Sequence, residues 1–165
     1  EIAGGHGTMN TSIVVALNVV LWPVIHVAVS LAGIRCPDRW FAPAHPAFRP
    51  RRWEDHGRFY EAVVAIRAWK DLLPDGADVL GGSFAKKHLA SYDPEYLARF
   101  CRETCRGEAV HWITMAFGPL FFAWNPPWAG WTMMAYAIVA NMPCILVQRY
   151  NRARLVRMLA RDRVA

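Results

Sequence analysis

No lysine or arginine occurs in residues 1–34 or in residues 107–148; all nineteen fall in two blocks, Arg35–Arg106 and Arg149–Arg163. Charged side chains are costly in hydrocarbon and basic loops stay cytoplasmic, so the gaps read as membrane topology, with the polar mass on one side. Cysteine is scarce. The four present, Cys36, Cys101, Cys105 and Cys144, make no disulfide framework, and Cys101 and Cys105 lie four apart on the basic, reducing side, as structural thiols. HExxH, a Gly-rich phosphate loop and a GxSxG elbow are absent. No RNA-binding signature or basic–aromatic repeat accompanies the net charge of +6, so an anionic leaflet or a phosphorylated substrate is a better match than nucleic acid. Internal repeats and low-complexity tracts are missing too.

What is present is apolar. Hydrophobic residues make up 55% of the chain, with eight Trp and eight Phe. Residues 1–8 (EIAGGHGT) precede Met9 and are expected to be an expression remnant. The first apolar stretch has no basic n-region and is too long for a signal h-region. Cys36 follows Leu31-Ala32-Gly33-Ile34-Arg35, which breaks a lipoprotein box. Ser12–Ile34 is uncharged, with Asn18, His26 and Ser30 its only polar residues besides Ser12. It exceeds the roughly 20 residues that cross a bilayer. Trp128–Val147 is a second such run. Val110–Trp124 is shorter and crosses only if the interface starts near Glu108–His111 or the bilayer thins. Asn125-Pro126-Pro127 turns between the last two.

The expected fold is therefore an all-α membrane protein, one domain over 9–165. Three transmembrane helices (12–34, 110–124 and 128–147) carry a cytoplasmic cap of short amphipathic helices within 35–109 and a basic tail over 148–165. The N-terminus and the Pro126-Pro127 turn are expected outside, in a multi-pass cell-membrane protein. Within the cap, Phe59, Val63 and Ile66 alternate with Glu61, Arg67 and Asp71 in an amphipathic helix that ends before Pro74-Asp75-Gly76. Gly81-Gly82-Ser83 is another break. Asp93 N-caps a helix with Pro94 at its first position.

Chemistry concentrates where the cap meets the apolar segments. Glu108 and His111 are three apart and share a helix face, so His111 is the candidate base and Glu108 its orienting partner. The alternative is an interfacial anchor beside Trp112. His56 is a reserve base. His56, His88, Glu108 and His111 together could form a zinc or iron site, although no metal motif matches and none is expected to be bound. His26 and His45 look structural. Gln148-Arg149-Tyr150-Asn151-Arg152-Ala153-Arg154 sets cations at headgroup depth, either to grip a phosphate or to anchor the chain on anionic lipid.

Several motifs resemble one family. They are Arg35-x-Pro37-Asp38-x-x-Phe41, Glu54-x-His56-Gly57-x-Phe59, Arg67-x-Trp69-Lys70, Asp75-Gly76, His88-Leu89 and Glu103-Thr104-x-Arg106-x-Glu108-x-x-His111-Trp112-Ile113. The most specific is Tyr136-Ala137-x-x-Ala140-Asn141-x-Pro143, running into Val147-Gln148-Arg149-Tyr150-Asn151-Arg152-x-Arg154-Leu155. In this order, from about Gly33 to Leu155, they resemble the glycosyl-4,4'-diaponeurosporenoate acyltransferases, small membrane enzymes that attach a fatty acyl chain to a glycosylated carotenoid acid. The resemblance implies transfer from a thioester donor (acyl-CoA or acyl-carrier protein, a co-substrate rather than a cofactor) to a sugar hydroxyl on a lipid or glycolipid acceptor. Individual roles come from chemistry. Arg149, Arg152 and Arg154 would hold the carrier phosphate, and Tyr150, Asn151 or Asn141 would supply oxyanion hydrogen bonds. Asn141, Trp112 and His88 would face the acceptor. A metal-dependent hydrolase and a non-catalytic lipid-binding protein are the rival classes.

Overall fold

The computed structural model of the chain describes residues 10–73 and 91–162. Among them there is no strand, and five α-helices are connected by short 3-10 turns. Helix α1 (Thr11–Arg35) starts where the Asn10 side chain accepts from the Ser12 N–H at 2.9 Å and continues through Pro23. Only Trp22, Ile25 and Gly33 of this helix are buried, whereas Val19, Val20 and Val24 are more than half exposed. A helix apolar all round that packs on protein along one edge leaves its other apolar sides uncovered.

Helix α4 (Pro94–Ala116) has the expected start, with Asp93 accepting from the Tyr96 N–H at 3.0 Å and Pro94 at the first position. A 3-10 segment, Gly118–Ala123, follows. Helix α5 (Pro127–Asp162) then runs for 36 residues through Pro143, carrying the apolar stretch directly into the basic tail. At 1.5 Å per residue it is about 54 Å long. The α4–α5 pair is antiparallel. Leu97, Phe100 and Cys101 meet Leu155 at one end, and Gly118 meets Met134 and Ala137 at the other.

Two helices, α1 and α5, are long and apolar enough to cross a membrane, rather than three. The expected span over 110–124 is divided: its first part is the last two turns of α4, and Gly118-Pro119 then tightens the chain into the 3-10 segment. The helical part of that stretch, residues 110–116, covers about 10 Å, and the rest of α4 carries Arg99, Arg102, Glu103, Arg106 and Glu108.

The expected amphipathic helix of the cap is also divided. Helix α2 (Arg58–Val64) stops at Ala65, which is left-handed at φ 47°, and α3 (Ile66–Trp69) restarts in a new direction. The break drops Ile66, fully buried, onto Tyr60 and Tyr150, and lets the Trp69 indole donate to the Val64 carbonyl at 2.8 Å. Burying such a side chain contributes about 1.5–3 kcal/mol, enough to offset one left-handed alanine at roughly 1–2 kcal/mol. The turns expected at Pro74-Asp75-Gly76 and Gly81-Gly82-Ser83 lie outside the described residues.

Candidate functional site

One stripe of α5 (Ala137, Asn141, Ile145, Arg149, Arg152 and Leu155) repeats every three or four residues and faces α4. The α4 stripe opposite contains Leu97, Cys101, Thr104, Glu108, His111 and Thr114; apart from His111 these are buried. The two stripes meet in an apolar end at Leu97, Cys101 and Leu155 and carry their charged residues further in.

The centre of the polar part is Glu108, 2% exposed. Its Oε1 accepts from Arg149 Nη1 at 2.9 Å and from the Trp112 indole at 3.3 Å, and its Oε2 accepts from Arg152 Nη2. Arg149 extends the chain into the cap. Its Nε donates to Glu54 Oε1 at 2.8 Å, and its Nη2 pairs with the same oxygen at 2.7 Å. The Tyr60 hydroxyl donates to the same oxygen at 2.6 Å, and the Arg51 N–H to Glu54 Oε2 at 2.6 Å. Two buried carboxylates and two guanidiniums thus neutralise one another. Burial, and then the hydrogen bond to Glu54, raise the Tyr60 phenol above its usual range, so it stays a donor at neutral pH.

Glu54 reaches this position because the next three residues, Asp55, His56 and Gly57, are all left-handed, at φ 45°, 56° and 97°. The turn is over-determined: Glu54 is tied down at both oxygens, and Gly57 lies against α5, where a Cβ would meet the Tyr150 ring at 3.1 Å. His56 is left exposed on the outside of the turn. Sequence reasoning named Glu54 only as a motif letter and passed over Tyr60; an acid three residues before a glycine was the available signal.

Several expected roles meet a different geometry. The oxygens of Glu108 accept from the arginines of α5 and from the Trp112 indole. The His111 Nδ1 lies 3.0 Å from Asn141 Oδ1. Arg149 is mostly buried and Arg152 is 1% exposed, both committed to carboxylates, so neither presents a free fork to a phosphate. Arg154 is exposed, lies over the Tyr150 ring and donates to its hydroxyl at 2.8 Å. The two expected oxyanion donors with described bonds are engaged: Tyr150 donates to Glu61 at 2.7 Å and Asn141 Nδ2 to the Ala137 carbonyl at 2.9 Å. Asn151 is partly buried on α5. Trp112 is 45% exposed, with its indole nitrogen turned to Glu108.

His88 lies outside the described residues. Its spacing to Asp93, His88-x-x-x-x-Asp93, is a second histidine–carboxylate combination that sequence reasoning overlooked. Among the described residues, no three His, Cys, Asp or Glu side chains come together as a ligand set. Burial pushes the Cys101 thiol up to about 12 and the Cys105 thiol up to about 11, so neither is a thiolate nucleophile near neutrality.

Fold and site together define a protein that is all-helical over its described residues, in which a charge-neutral polar network joins α4, α5 and the cap beside an amide-held imidazole. The family follows from comparison: a family model described as glycosyl-4,4'-diaponeurosporenoate acyltransferase matches residues 37–161. Proteins of that name from Staphylococcus aureus strains bovine RF122 / ET3-1 and MRSA252 are each 31% identical over 138 residues, covering 84% of this chain and 83% of theirs. The USA300 protein is 30% identical over the same share. The chain belongs to this family and is an acyltransferase. No solved structure matches it.

Proposed function

We propose that the protein moves a fatty acyl group from a thioester donor to a sugar hydroxyl of a glycosylated carotenoid acid or a related glycolipid, at the cytoplasmic face of the cell membrane. The names of its relatives support the acceptor class. The two membrane-length helices support an acceptor dissolved in the bilayer. The basic blocks support an outside N-terminus, with cap and tail on the cytoplasmic leaflet, where the exposed arginines meet anionic lipid.

The observation that carries the chemical reading is His111, held by Asn141 one helical turn beyond the buried Glu108, where apolar α4 and α5 surfaces give way to the charge network. In this reading the imidazole takes the proton of the acceptor hydroxyl. The oxygen attacks the thioester carbonyl, the C–O bond forms, and the C–S bond breaks. The proton then passes from the imidazole to the departing thiolate, leaving an ester and a thiol. Arg154 holds the donor phosphate, while Arg149 and Arg152 brace the site through Glu54 and Glu108. Lipid mass spectrometry of cells with and without the protein tests the function. A lipid heavier by one fatty acyl unit only when the protein is present is expected. Identical lipid profiles from cells supplied with donor and glycosylated acceptor would overturn it.

A further inference from the structure

We propose that Asn141, rather than binding substrate, sets the tautomer of His111 and so places the basic lone pair on Nε2. The inference rests on His111 as the base. Asn141 is fully buried in the α5 stripe facing α4. Its Nδ2 donates to the Ala137 carbonyl at 2.9 Å, one turn back along the same helix. That carbonyl can only accept, so turning the amide end for end would set two acceptors against each other. Oδ1 is therefore aimed outward, and it lies 3.0 Å from His111 Nδ1. Oδ1 also can only accept. Nδ1 must then carry the hydrogen, which leaves Nε2 as the proton acceptor.

An amide in this position does something a carboxylate would not. It selects the tautomer and fixes the ring plane without adding a negative charge that would stabilise the imidazolium. Among the described residues, the charged groups of the neighbouring elements fit that role. Glu108 of α4, Arg149 and Arg152 of α5 and Glu54 of the cap are paired with one another. Helix α1 brings no Asp, Glu, Lys or Arg between Thr11 and Ile34. The relay itself, from the Ala137 carbonyl through the Asn141 amide to the imidazole, contains no carboxylate.

Nitrogen-15 spectroscopy of the histidine-labelled full chain in detergent micelles, with His111 assigned through His111→Gln, reads the tautomer directly and needs no variant at Asn141. Hydrogen on Nδ1 at pH 8 is expected; hydrogen on Nε2, or an even mixture, would overturn the inference. Asn141→Leu should lower turnover by roughly 10–100-fold with both Michaelis constants near normal. Asn141→Asp should move the acid limb of the pH–rate profile upward, which loss of packing alone would not do. A raised acceptor Michaelis constant with unchanged turnover and profile would return Asn141 to substrate binding. If His111→Ala abolishes activity while Asn141→Leu leaves turnover and profile unaltered, the base stands and the positioning role falls. If His111→Ala is fully active, the base reading falls, and the nitrogen-15 result still decides the tautomer.

Discussion

Helix α1 and the α4–α5 hairpin are attached to the same molecule by opposite means. Apart from packing, α1 is held by neutral contacts. Trp22 stacks on Phe121 at 4.6 Å, Asn18 and Asn125 exchange amide hydrogen bonds of 2.8 Å each way, and the Trp124 indole donates to Asn18 Oδ1 at 2.9 Å. Where α1 crosses α4, a Cβ on Gly33 would come within 2.6 Å of Val110 Cγ2, so the approach requires glycine. The hairpin is instead joined by the buried ion pairs of Glu108, and the cap is tied to it by that of Glu54. In an apolar surrounding, helices gain little from meeting leucine with leucine, so close packing and a few amides do the joining. Beside a wet basic cap, full charges are tolerable if each is matched, and removing one is then costly.

Glu108→Ala is the most severe way to break that comparison, because it leaves Arg149 short of one partner and Arg152 buried without its carboxylate. A loss of about 3–5 kcal/mol is expected in thermal unfolding of the purified protein. Replacing Glu108 and Arg152 together by leucine should recover most of it. An unchanged melting temperature for the single variant would mean that the carboxylate is not buried among the arginines.

His111→Ala should act chiefly on rate, lowering turnover by roughly 10²–10⁴-fold in a protein that still folds. Comparing it with His88→Ala and His56→Ala sharpens the assignment. Near-normal turnover for His111→Ala with collapse for His88→Ala would move the base to the His88–Asp93 pair.

Arg154 separates a surface arginine from the buried ones. Its replacement by Ala should raise the apparent donor Michaelis constant by about tenfold to a hundredfold, the equivalent of one charge-assisted hydrogen bond. Arg154→Lys should restore only part, since a point charge lacks the fork. Full rescue would reduce Arg154 to a lipid anchor.

Asn18→Leu should have the smallest effect, about 0.6 kcal/mol and at most 1–2 kcal/mol, in the unfolding of detergent-solubilised protein, with turnover intact. A loss as large as that of Glu108→Ala would erase the contrast between the two modes of attachment.

Much of the fold was legible because it depends on local chemistry. The cap of Asp93 on α4, the uncharged run of α1 and the apolar first half of α5 are each properties of neighbouring residues. The third span was misread because absence of charge over 110–124 says nothing about Gly118-Pro119 changing the helix type, nor about where α4 starts. At the site, spacing brought Glu108 and His111 to one face, and the chemistry that acyl transfer needs pointed at Arg149, Arg152 and Asn141. Spacing within one helix cannot reveal that α5 supplies Arg149 and Arg152 to Glu108 and Asn141 to His111.

By itself, the sequence determined that this protein is helical, where its two long apolar helices run, which family it belongs to, and that its cations cluster beside those helices. These follow from the period of side chains, the cost of charge in hydrocarbon and the order of motifs. The tertiary structure alone decided that Glu108 neutralises two arginines, that Glu54 reaches Arg149 across 95 residues, and that Asn141 meets His111. Each of these is a choice among hydrogen-bond partners made only when α4, α5 and the left-handed turn at Asp55–Gly57 pack together. A buried charge takes whichever partner the packing brings within reach, however far away that partner is in the chain.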